Sequence, residues 1–438
     1  MEKLSLPAVA CIVVLFCAAA AIASPAQTFT TLVTFNWNNG AFPLFVSLVE
    51  DPNNPGHFYG TTEWGGTGSG GIGVVGLGTI FEISPPQPPS KSWTLTTLYN
   101  FCSQTNCPDG ANPFAGVIIG SDGAFYGTTV RGGVDPQHHT MNAGTYFGFK
   151  PPSDLGAQPF CQIFYEGNCL DGSTPYAPLL EPSPGSALYG TTALGTGGIG
   201  IGNSNCLLGC GTVFYTSEGP AVTYAFCKDI NPSGFCTDGL YPWAGLIKGP
   251  ETGPYRGLWG TTSAGGDLNF GVVFIAGTES GEEVVHSFTG GDGSFPVARL
   301  VLGTDGNVYG TTVFGGASNS GTVFELTFSN GSWTETVLHN FSSSPDGAFP
   351  TAGLVQDPRT GIFYGTTVAG GANGFGTLFQ MTPAGVLTVL HSFTWFDGAY
   401  PYGGLVQGKN GRFYGTTYAG AFSPGCPLAL GCGTVFVW

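Results

Sequence analysis

The sequence predicts an all-β protein: a seven-bladed β-propeller with four antiparallel strands per blade, its N-terminal strand closing the last blade. Three observations carry this. An aromatic-Gly-Thr-Thr motif occurs seven times, opening at Tyr59, Tyr126, Tyr189, Trp259, Tyr309, Tyr364 and Tyr414. The same strand-like runs return around each copy, at steps of 67, 63, 70, 50, 55 and 50 residues. Gly, Pro and Asp-Gly turn signals separate these runs, and helical periodicity is absent.

Each repeat supplies four strands, labelled A to D from the axis outward. Strand A is a short apolar run such as Gly404-Leu405-Val406, and strand B carries the aromatic-Gly-Thr-Thr motif. Strand C follows the pattern of Gly321-Thr322-Val323-Phe324 and Gly433-Thr434-Val435-Phe436. Strand D is a run such as Val284 to Phe288, Thr336 to Phe341 or Thr388 to Phe393. An (Asp/Asn)-Gly-x-x-Pro turn then leads into the next A, from Asn39–Pro43 through Asp109–Pro113 to Asp397–Pro401. Four strands per unit of this length is the blade pattern of a propeller, whereas a β-helix repeats in shorter steps. The Gly-His/Trp-Asp signature of WD-type blades is missing.

Seven sheets in a ring bury both faces of each, which no single four-stranded sheet achieves. The aromatic before Pro in five copies (Phe42, Tyr241, Phe295, Phe349, Tyr400) suits packing between blades. The chain ends on a C-type strand, Thr434 to Trp438, and opens, after an apolar leader, with a D-type strand, Thr28 to Phe35. An open ring would leave exposed edges, so these two strands are predicted to pair.

The recurring Phe-Tyr-Gly-Thr-Thr…Gly-Gly…Gly-Thr-Val-Phe unit, with its Val-Leu-His-Ser-Phe strand, resembles the GloVer "choice-of-anchor" tandem-repeat proteins across residues 28–438. The resemblance implies export and, often, one of several C-terminal surface anchors. Here the sequence reaches Trp438 inside the last motif, so free secretion is the expectation. The resemblance implies no reaction and no catalytic residue.

Residues 1–23 read as a secretory signal peptide: Lys3 is followed by an apolar, Ala-rich run from Leu4 to Ala23. Cleavage is expected after Ala21-Ile22-Ala23, with Ser24-Pro25-Ala26 as a second option. Residues 24–438 then form one propeller domain, without a later run long enough to span a bilayer. A net charge of −16, with 11 Lys+Arg against 27 Asp+Glu, excludes nucleic acid and anionic membranes as partners.

Ten cysteines remain after the signal and fall in close pairs: Cys102 with Cys107, Cys161 with Cys169, Cys206 with Cys210, Cys227 with Cys236, and Cys426 with Cys432. In an exported protein these read as local disulfides that staple loops, each contributing on the order of 2–3 kcal/mol at most. Metal binding is the rival reading, against which stand irregular spacings and few nearby His. Neither a metal nor a cofactor is expected.

Loop length points to a binding face. Between strands B and C, blades 4, 5 and 6 use eight residues, whereas blades 1, 2, 3 and 7 use 14 to 18. In a meander the B–C and D–A connections emerge together, so the long, Cys-bearing loops share one face, over blades 7, 1, 2 and 3. Long stapled loops on a rigid scaffold are where binding residues gather. The candidate ligand-binding side chains there are Trp64, Arg131, His138, His139 and Tyr418. Trp64 reads equally as a stacking platform or a loop-packing anchor. His138 and His139, with Asp135 and Arg131, are the densest polar cluster, but lack a third placed ligand. His286, His339 and His391 occupy equivalent strand D positions on different blades, which is a structural pattern.

Two functions follow. The first is a secreted, non-catalytic propeller that binds an extracellular glycan or protein. The alternative is a propeller hydrolase or lyase acting on polysaccharide, with carboxylates such as Glu63 and Asp135 as acid and base.

Overall fold

A computed structural model describes residues 28–438 apart from 70–75, 134–141, 152–154, 163, 166–167, 197–205, 207–208, 217–218, 251–252, 254–255, 279–280 and 427–429. Seven antiparallel sheets form a ring. In blade 1 the strands from axis to rim are Val49–Glu50, Phe58–Thr62, Thr79–Ser84 and Thr94–Asn100, in sequential order. Blades 2, 4, 5 and 6 repeat this meander. Blade 3 is thinner at the axis, where strand A is reduced to one bridge between Leu180 and Tyr189. Blade 7 is built from both ends of the described chain: Thr30–Thr34 lies outside Thr434–Val437, with Thr30 opposite Val437 and Thr34 opposite Thr434. The expected ring closure is therefore present.

The repeated motif is explained residue by residue. The Gly of strand B lies under the strand C Phe ring: a Cβ at Gly310 would stand 2.4 Å from Phe324, and one at Gly260 2.5 Å from Phe274. The first Thr reaches into the next blade, donating to a carbonyl of its inner segment. Thr61 bonds Ala115 at 2.8 Å, Thr191 bonds Ala244 at 3.0 Å, and Thr416 returns to Val46 of blade 1 at 3.4 Å. The second Thr pairs with the strand C Thr hydroxyl, as in Thr62–Thr79 and Thr312–Thr322, both 2.8 Å apart. In blade 4 the partner position is Val272. One Thr joins blades, while the other pins B to C.

Packing follows the same logic. Between neighbouring blades lie apolar clusters such as Trp259, Val273, Ile275, Phe288 and Leu300 with Phe324. The turn Asp is fixed by the outer strand: His286–Asp292 at 3.1 Å, His339–Asp346 at 2.9 Å, His391–Asp397 at 3.0 Å, and Tyr99–Asp109 and Tyr224–Asp238 both at 2.8 Å. The equivalent histidines thus lock separate turns and do not converge.

Candidate ligand site at the channel mouth

The residue before each turn Pro adopts a left-handed backbone in all seven blades, from φ 54 at Asn112 to φ 61 at Phe349. Such a conformation is costly for a side-chain-bearing residue and needs support on both sides. The support comes from the preceding blade's B–C loop, whose carbonyls take the backbone N–H: Phe349 bonds Ser320 at 2.9 Å and Tyr400 bonds Phe375 at 3.0 Å. A single bridge then ties each D–A turn to its own blade's B–C loop, from Ala41–Trp64 to Ala399–Ala419. B–C and D–A connections do share one face.

The residue after Pro is delivered to the axis at that face. In blade order these residues are Phe45 (one place later, after Leu44), Phe114, Tyr176, Trp243, Val297, Thr351 and Tyr402, and all seven line the central channel. Five are aromatic, and their rings run on as an arc. Ring centroids are 5.7 Å apart for Tyr402–Phe45, 5.1 Å for Phe45–Phe114, and 4.8 Å for both Phe114–Tyr176 and Tyr176–Trp243. Blades 5 and 6 break the arc with Val297 and Thr351. The enclosed space is about 190 Å³.

Arg299 enters from the broken side. Its Nε donates to the Leu246 carbonyl at 3.0 Å, which lays the side chain along blade 4. Its exposed surface lines the channel, and desolvation among the surrounding residues holds its pKa below the ordinary 12.5. Among the described residues no acid pairs with it, and none of the lining residues is a carboxylate.

Three of the five ligand-binding residues expected from the sequence lie in described loops. Tyr418 packs beside this mouth, its ring centroid 5.6 Å from Tyr402 and 4.9 Å from Phe42. Trp64 is half-buried against Leu77 and the Cys102–Cys107 pair, with its indole acting on the neighbouring Glu63 carboxyl. Arg131 is exposed, and its charge acts on both Glu63 and Tyr176. Burial pushes the Glu63 carboxyl up to about 7, against the opposing Trp64 bond and the Arg131 charge. His138, His139 and Asp135 lie outside the described residues. Sequence reasoning missed the post-Pro aromatics and Arg299. Reading down the seven copies finds them, because the position of Arg299 is Ser47, Gly116, Pro178, Gly245, Gly353 and Gly404 elsewhere.

All five cysteine pairs are disulfides: Cys102 with Cys107, Cys161 with Cys169, Cys206 with Cys210, Cys227 with Cys236, and Cys426 with Cys432. Nine of these cysteines, all but Cys426, are buried, so the staples are not confined to the exposed surface. Cys169 lies in a short strand, Asn168–Cys169, where it pairs with Phe164, and its side chain is buried in the cluster of Phe160 and Phe214. Its carbonyl accepts the N–H of Thr196 at 2.7 Å, which ties this D–A connection to its own blade's B–C loop. Cys432 is fully buried in the cluster where blade 7 meets blade 1, and its carbonyl takes the N–H of left-handed Phe42 at 3.0 Å. Burial follows because each stands where a loop rejoins the repeated blade contacts.

Among the described residues two groups have the proximity of metal ligands. One is the four sulfurs of Cys206, Cys210, Cys227 and Cys236, already bonded in pairs; the other is His286, Asp292 and Glu335, where blade 4 meets blade 5.

The fold and its axial mouth define a disulfide-stapled, tandem-repeat β-propeller. The chain belongs to the Gloeobacter/Verrucomicrobia repeat family, which matches residues 21–247 and 199–426. No curated protein matches the sequence. Among solved structures, the extracellular domain of a protein assigned as a hybrid two-component system of B. thetaiotaomicron is similar at 11% identity and TM-score 0.50. The match covers 94% of this chain and 41% of that one. A hypothetical selenium-binding protein from Sulfolobus tokodaii is similar at 11% identity and TM-score 0.49, covering 88% and 86%. A protein assigned as a 6-phosphogluconolactonase from Bacteroides uniformis is similar at 14% identity and TM-score 0.47, covering 82% and 89%. At these identities the likeness concerns the fold alone. Among the described residues no helix is long and apolar enough to cross a membrane.

Proposed function

We propose that this is an exported sugar-binding propeller whose ligand lies in the channel mouth on the loop-bearing face. The observation that carries the reading is the arc of five aromatic rings, Tyr402 to Trp243, turned toward an enclosed lumen. Aromatic faces stack on the C–H faces of pyranose rings and supply contact area with little side-chain entropy to lose. Tyr176, Tyr402 and Tyr418 add hydroxyls at the rim. Five disulfides and the apolar, Lys3-led start of the chain support export, as the oxidising compartments are where such bonds persist.

A second reading draws on Glu63. A carboxyl raised to about 7 is suited to donate a proton, as a glycosidase acid does. Such an enzyme needs a second carboxylate across the scissile bond, and Asp135, the sequence's candidate, lies outside the described residues. One experiment addresses both. Purified protein is screened on an array of neutral and acidic oligosaccharides, reading bound sugar and released reducing ends, beside the W243A and F114A variants. Binding without release, weakened at least tenfold in both variants, is the expected result. Release that disappears in E63Q would instead establish the enzyme, and binding indifferent to both ring deletions would move the site elsewhere.

A further inference from the structure

The mouth is chemically two-sided. Blades 7, 1, 2, 3 and 4 present aromatic rings, while the side of blades 5 and 6 presents Val297, Thr351 and Arg299. Arg299 is the one large residue at a position that is Ser, Gly or Pro in every other blade. That position is small for a reason: the inner segments nearly touch, and a Cβ on Gly353 or Gly116 would stand 2.4 Å from the carbonyl oxygen of its neighbouring blade. A long cationic side chain there gains one carbonyl bond and leaves its two Nη groups facing the lumen without a protein acceptor among the described residues. An enclosed cation without an acid partner is unfavourable. The seven copies show that the fold does not require it.

We propose that Arg299 is the anion receptor of this site, and that the ligand is a sugar bearing a carboxylate, a uronic acid residue. The proposal rests on the sugar-binding reading above and adds the charge. A uronic acid ring offers an apolar face for the aromatic arc and a planar carboxylate at its edge. A guanidinium fork matches that carboxylate through two parallel bonds. With Nε committed to Leu246, the Nη edge is the one presented. Net charge selects within the anions: a chain at −16 repels polyanions at a distance, which favours a short or terminal acidic sugar over a dense polyelectrolyte. Inorganic phosphate shares the negative charge but lacks a ring face to stack, and a sugar phosphate offers a tetrahedral group in place of the flat carboxylate.

The test uses matched probes. Trimers of galacturonate, guluronate and mannuronate are titrated calorimetrically against the full-length protein, each beside its methyl ester, which keeps the ring faces and removes the charge. At least one acid should bind about tenfold to a hundredfold more tightly than its ester, the range of a charge-assisted hydrogen bond. R299G, which installs the residue that blades 2, 4, 6 and 7 carry, should fold and bring acid and ester to equal affinity. W243A should weaken both forms together. An acid and ester bound equally by the parent protein, with W243A still weakening both, overturns the carboxylate proposal and leaves the sugar reading standing. Failure to bind any acid or ester overturns both. A preference for acid that survives in R299G removes Arg299 from the site.

Discussion

Glu335 shows what one residue does when it breaks the repeat. Four places before the strand D histidine, blade 6 has Leu387, while blades 4 and 5 have Glu282 and Glu335. Each of these carboxyls buries an Oε1 without a partner against the preceding blade. Burial pushes Glu335 up to about 7 and Glu282 to about 8. A carboxyl raised in the folded state holds its proton where the unfolded chain, near the ordinary 4.5, has released it. Its stabilisation is therefore present below pH 4.5 and lost as pH rises through 7. The three turn aspartates bonded to a strand D histidine run the other way. At Asp292, burial would raise the carboxyl, but bonds from His286 and Thr289 outweigh it and hold it below 3.8. Asp346 and Asp397 are lowered by the same balance, so their contribution is lost as pH falls below that range. Stability should therefore peak in mildly acid solution and decline toward pH 8. E335L should gain about 1 kcal/mol or more at pH 7.5, by removing an unsatisfied buried oxygen, and should flatten the decline. Urea melts from pH 4 to 8 measure both; an E335L variant less stable than the parent at pH 7.5 would refute the account.

Strand B is where the element scale is best seen, because its two threonines do different work at adjacent positions. Thr61 is wholly buried and its hydroxyl crosses to Ala115 of blade 2. Thr79, the strand C partner of Thr62, bonds within its own blade, and blade 4 already replaces that residue with Val272. T79V should therefore cost less than about 1 kcal/mol, whereas T61V leaves the Ala115 carbonyl unpaired and should cost about 1–2 kcal/mol. Chemical denaturation of the two single variants decides this, and equal losses would mean that the inter-blade bond has no special weight. The disulfides belong to the same scale. They close loops of four to nine residues in sequence separation and staple the face that carries the channel mouth. The four buried sulfurs of Cys206, Cys210, Cys227 and Cys236 hold a B–C loop against the following D–A turn. Cys432 does the same through its backbone carbonyl, which takes the N–H of Phe42, while the Cys169 carbonyl ties its D–A connection to its own blade's B–C loop. The role of the five bonds is to shape that face more than to hold the ring.

Ring closure is the property of the whole molecule. Blade 7 receives its outermost strand from Thr30–Thr34, more than 380 residues from its pairing partners in sequence. Phe35 packs at zero exposure in the cluster joining blades 7 and 1, beside Phe81 and Val435. Removing residues 28–35 exposes the Thr434–Val437 edge and empties that cluster. Loss of one buried Phe alone costs about 3–5 kcal/mol, so the truncated protein should melt many degrees lower and associate through the open edge. Calorimetry with light scattering checks it; an unchanged transition in a monomer would show that the ring is held elsewhere.

Blade number, strand order and closure were legible in the sequence because each depends on residues that the copies repeat: Gly under a Phe ring and Thr to the next blade in all seven, and Asp to the outer strand in most. The adjacent cysteine pairs were legible because so few residues separate the partners; the burial of nine of the ten cysteines was not, since it depends on the blade that each loop rejoins. Much of the site was equally hidden. The post-Pro aromatics went unmarked, since a linear sequence does not say which side of a turn faces the axis; the left-handed residue before Pro decides that. Arg299 is one of eleven Lys and Arg, and nothing in its local sequence marks it for the axis. Its meaning arises when seven segments, spaced 50 to 70 residues apart, converge on one channel. The sequence by itself determines the repeated contacts, which recur from blade to blade with few exceptions. What the axis holds depends on the differences between blades, and only the closed ring brings those differences face to face.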